Sequence, residues 1–125
     1  MPSFKLLPLA VGMAAPDEVA EVLETLWGGD ETLIVISSDL SHFLPYDIAK
    51  SVDAETAQEI LGMNSSISHE QACGGTPVNG MLRAARRHQL TPHLLDLRNS
   101  GDTAGKRDSV VGYASFAFTG EPAHA

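Results

Sequence analysis

Leu33-Ile34-Val35-Ile36-Ser37-Ser38-Asp39-Leu40-Ser41-His42-Phe43 is the stretch on which the reading of the chain turns. Leu33 to Ile36 is a short apolar run rich in β-branched residues, which predicts a strand buried on both faces, as in a parallel sheet. At Ser37 the apolar side chains give way to hydroxyls, a carboxylate and an imidazole. In open α/β sheets, ligands and catalytic groups collect in the crevice beyond the carboxyl ends of the strands. Ser38, Asp39 and His42 are therefore well placed for chemistry. The competing reading is local: Ser37, Ser38 and Asp39 would cap a helix starting near Leu40.

Upstream, Phe4 to Val11 is apolar enough for a strand, although Pro8 lacks a ladder donor and favours an edge or a break. Pro16, Asp17 and Glu18 open a helix, since proline suits the first turn and acids suit its positive dipole end. Val19, Val22, Leu23 and Leu26 then fall on one face, and Gly28-Gly29 stops the helix. Ala15 is a poor cap, so packing must hold this helix. Strand, helix and strand make a right-handed βαβ unit from Phe4 to Ile36.

Downstream, Pro45-Tyr46-Asp47 marks a turn, and Asp53 is read as the cap of a helix from Ala54 to Leu61. Thr76 and Pro77 open a third helix, with Val78, Met81, Leu82 and Ala85 on its buried face. Arg83, Arg86, Arg87 and His88 are read as a solvated face near its negative end. His93 to Leu97 and Val110 to Phe118 read as strands. No helix lies between them, so they pair antiparallel across the polar loop Asn99 to Asp108. The expected fold is one α/β domain over residues 1–125. It begins with the βαβ unit, carries helices in a three-layer-like arrangement, and ends in an antiparallel strand pair.

A chain of 125 residues, 43% hydrophobic, can bury roughly two-thirds of its unfolded surface and build a core. Eight Lys and Arg against sixteen Asp and Glu give a net charge of -8, which repels a phosphate backbone and argues against nucleic-acid binding. The single cysteine, Cys73, excludes an intramolecular disulfide and fits a reducing compartment. No apolar stretch reaches membrane-spanning length, and the N-terminus has no signal-peptide pattern. A cytoplasmic protein that binds neither membrane nor nucleic acid is the expectation.

Cys73 precedes Gly74-Gly75 and a helix start. Nearby backbone N–H groups favour the thiolate, the form that attacks or ligates metal, although a lone cysteine is commonly an inert buried residue. His42 can serve as general base or metal ligand, with Asp39 orienting it. His69 and Cys73 could form a metal pair if their segment is helical. Ser100-Gly101-Asp102 offers hydroxyl, flexible backbone and carboxylate, which turn chemistry alone would also select. The phosphate-loop pattern is missing, as are C-x-x-C, H-E-x-x-H and G-x-S-x-G.

Three pieces together resemble one family. Ser37 to Phe43 with Tyr46, then Ala72-Cys73-Gly74, then Ser100-Gly101-Asp102 leading into Val110-Val111-Gly112-Tyr113-Ala114, look like the C-terminal half of Memo-family proteins. In bacteria and archaea these are protein B of a set that also contains an Amme-type protein and a radical SAM protein, the partners this resemblance implies. The family in turn resembles the catalytic subunits of class III extradiol dioxygenases, an α/β fold with a non-haem iron site. The resemblance implies that Cys73 ligates a metal and that His42 lies beside it as ligand or acid/base. Asp39, Ser38, Ser100 and Asp102 would line the pocket. Thiolate plus imidazole suits iron or copper, and a cysteine in place of a carboxylate departs from ordinary ring-cleaving sites. Animal members are linked to phosphopeptide binding and cell motility.

The family's other metal histidines belong to an N-terminal half that, on this resemblance, precedes residue 1. Missing sheet neighbours would expose apolar surface and favour a homo-oligomer. The leading expectation is a metal-dependent redox or dioxygenase-like protein with Cys73 ligating and His42 moving protons. The alternatives are a non-catalytic peptide- or anion-binding module, with Lys106 or Arg107 supplying charge, and a fragment without independent activity.

Overall fold

The computed structural model describes residues 3–103 and 105–120. Its elements are α1 (Pro16–Leu26), β1 (His42–Leu44), α2 (Tyr46–Leu61), α3 (Gly75–Arg87), β2 (Thr91–Asn99) and β3 (Val110–Thr119), with a 3-10 turn at Ser100–Asp102. The α/β class holds. The strands form an antiparallel sheet in the order β1-β3-β2. The expected pairing of the two C-terminal strands is observed, from Thr91 opposite Thr119 to Asn99 opposite Gly112.

The βαβ start is not. Residues 4–11 and 33–36 form no strand. Leu33 and Val35 are 77% and 75% exposed, while Ile34 and Ile36 are half-buried against the α1–α3 core. The alternation suits a one-sided extended segment, rather than a strand buried on both faces. A strand needs a hydrogen-bonded neighbour, and apolar composition does not reveal whether one exists. Nor does a helix begin at Leu40, so the capping alternative fails as well. The chain instead continues into β1, which meets β3 at His42 opposite Val111 and Leu44 opposite Val110, with an irregularity between them.

Two apolar clusters hold the fold. In the first, Val19, Ala20 and Leu23 of α1 meet Met81, Ala84 and Ala85 of α3. Val22 and Leu26, expected on that face, are 46% and 40% exposed, and Ala20 takes the buried place. The helices approach closely because α3 has Gly80 at the crossing: a Cβ there would run into the Val19 side chain and come within 3.1 Å of the Pro16 carbonyl oxygen. The weak cap at Ala15 is partly compensated, since its N–H donates to Glu18 Oε1 at 2.9 Å. Gly28, at φ 66°, turns the chain after α1 in the left-handed region that glycine tolerates.

The basic end of α3 is not simply a solvated face. Arg83 Nη1 lies 2.7 Å from Asp17 Oδ1, and the His88 ring stacks on Trp27 at 3.9 Å while its Nε2 sits 2.9 Å from Glu24 Oε2. These side chains tie α3 to α1, which spacing along one helix could not show.

The second cluster joins Leu40, Ile60, Ile67, Ala72 and Leu82, with Leu97, Ala114 and Phe116 of the sheet packed on it. On β3, Val110 and Gly112 are buried whereas Tyr113 and Ser115 are exposed. Helices thus cover one face of the sheet, and the three-layer arrangement is realised on one side only. α2 begins at Tyr46 rather than at Ala54, so Asp53 lies mid-helix and buried instead of capping. α3 begins at Gly75, with Gly74 rather than Thr76 in the cap position. Among the described residues, no helix is long and apolar enough to cross a membrane.

Candidate metal centre

The loop from Ser37 to Ser41 leads into β1 and is pinned to β3 on its way. Leu40 N–H donates to Gly112 O at 2.8 Å, and Gly112 N–H donates to Ser41 O at 2.9 Å. Leu40 and Ser41 are buried, whereas Asp39 is half-buried and His42 exposed. At Phe43 the backbone enters the left-handed region with φ 65°, and its side chain is 74% exposed. An irregularity in strand pairing at such a point re-aims neighbouring side chains, and such features recur beside functional sites.

Cys73 arrives from the turn before α3. Its Sγ lies 3.4 Å from the Asp39 amide nitrogen and 3.8 Å from Ser38 Oγ. Ser38 locks the two segments together: its hydroxyl donates to Asp39 O at 2.7 Å and accepts the Gly74 N–H at 2.9 Å. Close approach requires glycine here, because a Cβ on Gly74 would lie 2.8 Å from Ser38 Cβ. The sulfur is exposed rather than walled into apolar packing. His42 Nε2 lies 3.6 Å from Asp39 Oδ2. One ligand atom from each of Asp39, His42 and Cys73 lies within 4.8 Å of the others.

A cysteine sulfur, an imidazole and a carboxylate are donor types that iron and copper both accept. The residue that joins His42 and Cys73 in this group is Asp39, not His69. His69 Nε2 instead lies 3.4 Å from Thr76 Oγ1, in a turn rather than a helix. His93 Nε2 lies 2.8 Å from Thr119 Oγ1, away from this group.

Ser100 and Asp102 are not among the converging ligand atoms. Asp102 accepts the Tyr46 hydroxyl on one oxygen and the Asn99 N–H on the other at 2.9 Å. The Tyr46 bond first, then the Asn99 N–H, hold this carboxyl below the usual range, and the same bond pushes the Tyr46 phenol up. Arg107 Cζ sits 4.2 Å from the Tyr46 ring centroid, an arrangement that favours the cation over the ring face. Ser100 Oγ accepts the Val111 N–H at 3.0 Å. These bonds make a clamp between α2 and the β2–β3 loop, a role that spacing did not suggest.

Sequence comparison matches residues 1–117 to the family described as Memo-like protein. This chain belongs to the Memo-like protein family. A MEMO1 family protein of Methanosarcina mazei is 33% identical over 125 aligned residues, covering 90% of this chain and 47% of the relative. One from Methanosarcina acetivorans is 34% identical, with 90% and 47% covered, and one from Sulfolobus acidocaldarius is 30% identical, with 93% and 45% covered. The chain therefore spans about half the length of these Memo-like relatives.

Proposed function

We propose that this Memo-like chain contributes Cys73, His42 and Asp39 to a metal centre of dioxygenase-like or redox type, with iron or copper as the ion. The observation that carries the reading is the convergence of a cysteine sulfur, an imidazole and a carboxylate within 4.8 Å, on an accessible rim of the fold. A bound ion of either kind would supply one-electron chemistry. Cys73 would hold it through an exposed sulfur that already accepts the Asp39 N–H at 3.4 Å. His42 is exposed and would move protons at Nε2, while Asp39 Oδ2, 3.6 Å away, would orient the ring.

The test is reconstitution with iron(II) or copper(I) followed by elemental analysis. Near-stoichiometric metal that disappears in Cys73→Ala is the expected result. A metal-free protein after reconstitution defeats the reading, and ligand binding indifferent to chelators would favour a non-catalytic module instead.

We also propose that the chain associates with copies of itself. Phe4, Leu6, Leu7 and Leu9 are between 55% and 78% exposed, and Leu33 and Val35 are similarly bare. Monomers rarely leave apolar patches beyond a few hundred Å². Light scattering should report a mass above that of one chain; a monomer at micromolar concentration would refute this.

A further inference from the structure

Directly behind the candidate centre lies a buried carboxylate that the proposed function does not use. Asp53, in the middle of α2, is 2% exposed. Its Oδ1 accepts the Ser41 N–H at 3.1 Å, and its Oδ2 has no hydrogen-bond partner among the described residues. Burying a carboxylate with one oxygen unpartnered is costly, so the bond it makes to Ser41 is made at the expense of that burial. The carboxylate packs directly on the β3 backbone at Gly112, where a Cβ would collide with it. Gly112 in turn exchanges backbone bonds with Leu40 and Ser41.

Ser41 is thus held from two directions, through its carbonyl by β3 and through its amide by α2. Asp39 and His42 flank the pinned pair Leu40-Ser41, so the orientation of both ligand residues follows from how that pair is fixed. We propose that Asp53 is a positioning residue that holds the Asp39–His42 loop in register with Cys73. This rests on the metal reading above. Asp53 touches no metal on this account: it acts through the Ser41 amide. Partners that orient metal ligands in this way typically contribute about 10–100-fold to metal affinity.

Cobalt(II) titration of the 125-residue chain, followed by thiolate-to-metal absorption, tests the proposal. Asp53→Ala should weaken cobalt affinity by about tenfold or more and alter the absorption band. Asp53→Asn keeps an acceptor for the Ser41 N–H and should restore both to within about threefold of the unchanged protein, because the role is geometric rather than electrostatic. Equal affinity and spectrum in Asp53→Ala would overturn the inference, as would an Asp53→Asn variant as weak as the alanine one. Should Asp53→Ala fail to fold, amide hydrogen exchange on the metal-free unchanged chain decides, with a slowly exchanging Ser41 N–H expected and a fast one contradicting the bond. Failure of the unchanged protein to bind cobalt would sink the metal reading itself, a separate result from any difference among the Asp53 variants.

Discussion

The Asp39 backbone amide points its N–H at Cys73 Sγ across 3.4 Å of space and 34 residues of chain. That single contact brings the polar loop before β1 to the turn before α3, and Ser38 reinforces it through Gly74.

Removing the Ser38 hydroxyl should loosen this junction. Ser38→Ala leaves the half-buried Gly74 N–H without its acceptor and Asp39 O without its donor. A loss of about 1–2 kcal/mol in urea denaturation is expected, with weaker metal binding alongside. Unchanged stability and unchanged metal affinity would show that the junction is held by other contacts.

At the α1–α3 crossing, the prediction concerns volume. Gly80→Ala gains helix propensity of about 1 kcal/mol but drives a methyl group into Val19. Overpacking typically costs about 1–3 kcal/mol, so a net loss is expected, read as a lower denaturation midpoint. Gly80→Ala combined with Val19→Ala should recover part of it. A stabilised single variant would mean that the helices separate freely.

Phe43 carries a backbone conformation that glycine adopts at no cost. Its φ of 65° and its 74% exposed ring mean that Phe43→Gly relieves strain while forfeiting little burial. A gain of about 0.5–1 kcal/mol is expected, and a loss in Phe43→Val, whose branched side chain tolerates this region poorly. Thermal melts of the two variants should shift in opposite directions. A melt lowered by glycine would show that the ring, not the backbone, matters for stability.

The Tyr46–Asp102 clamp makes stability depend on pH at both extremes. Asp102 is depressed in the folded chain by the Tyr46 hydroxyl and the Asn99 N–H, so its contribution is present above about 3.9, the ordinary aspartate value, and fades as pH falls through the folded value. Tyr46 is raised by the same bond, so its contribution is complete below about 10 and is lost as pH rises through its folded value. The melting-temperature difference between the unchanged chain and Tyr46→Phe should be widest near neutrality and should narrow in strong acid and strong alkali. A difference constant across that range would remove the clamp from the account.

Much of this molecule could be read along the chain, where the governing physics is local. Pro16 with its acids opens α1, the glycines after Leu26 close it, and the lack of a crossover α-helix among the described residues between 97 and 110 leaves antiparallel pairing for β2 and β3. The polar cluster at Ser38, Asp39 and His42 was legible because a run of β-branched residues ends abruptly there. Leu33 to Ile36 misled for a related reason. Its composition reports a preference for extended backbone, whereas a strand exists only if a neighbour supplies hydrogen bonds, and none pairs with it among the described residues. Asp53 misled because aspartate before an alanine resembles a cap, and its bond to Ser41, 12 residues away, leaves no periodic trace.

The linear order of residues settled which side chains were available and where helices start. It could not settle that Cys73 sits beside Asp39 rather than in the core, that Asp39 rather than His69 lies beside Cys73 and His42, or that Asp102 serves Tyr46. Each of those depends on segments far apart in the chain being brought within a few ångströms, and that distance is set by how α2, α3 and β3 pack, not by spacing along the backbone.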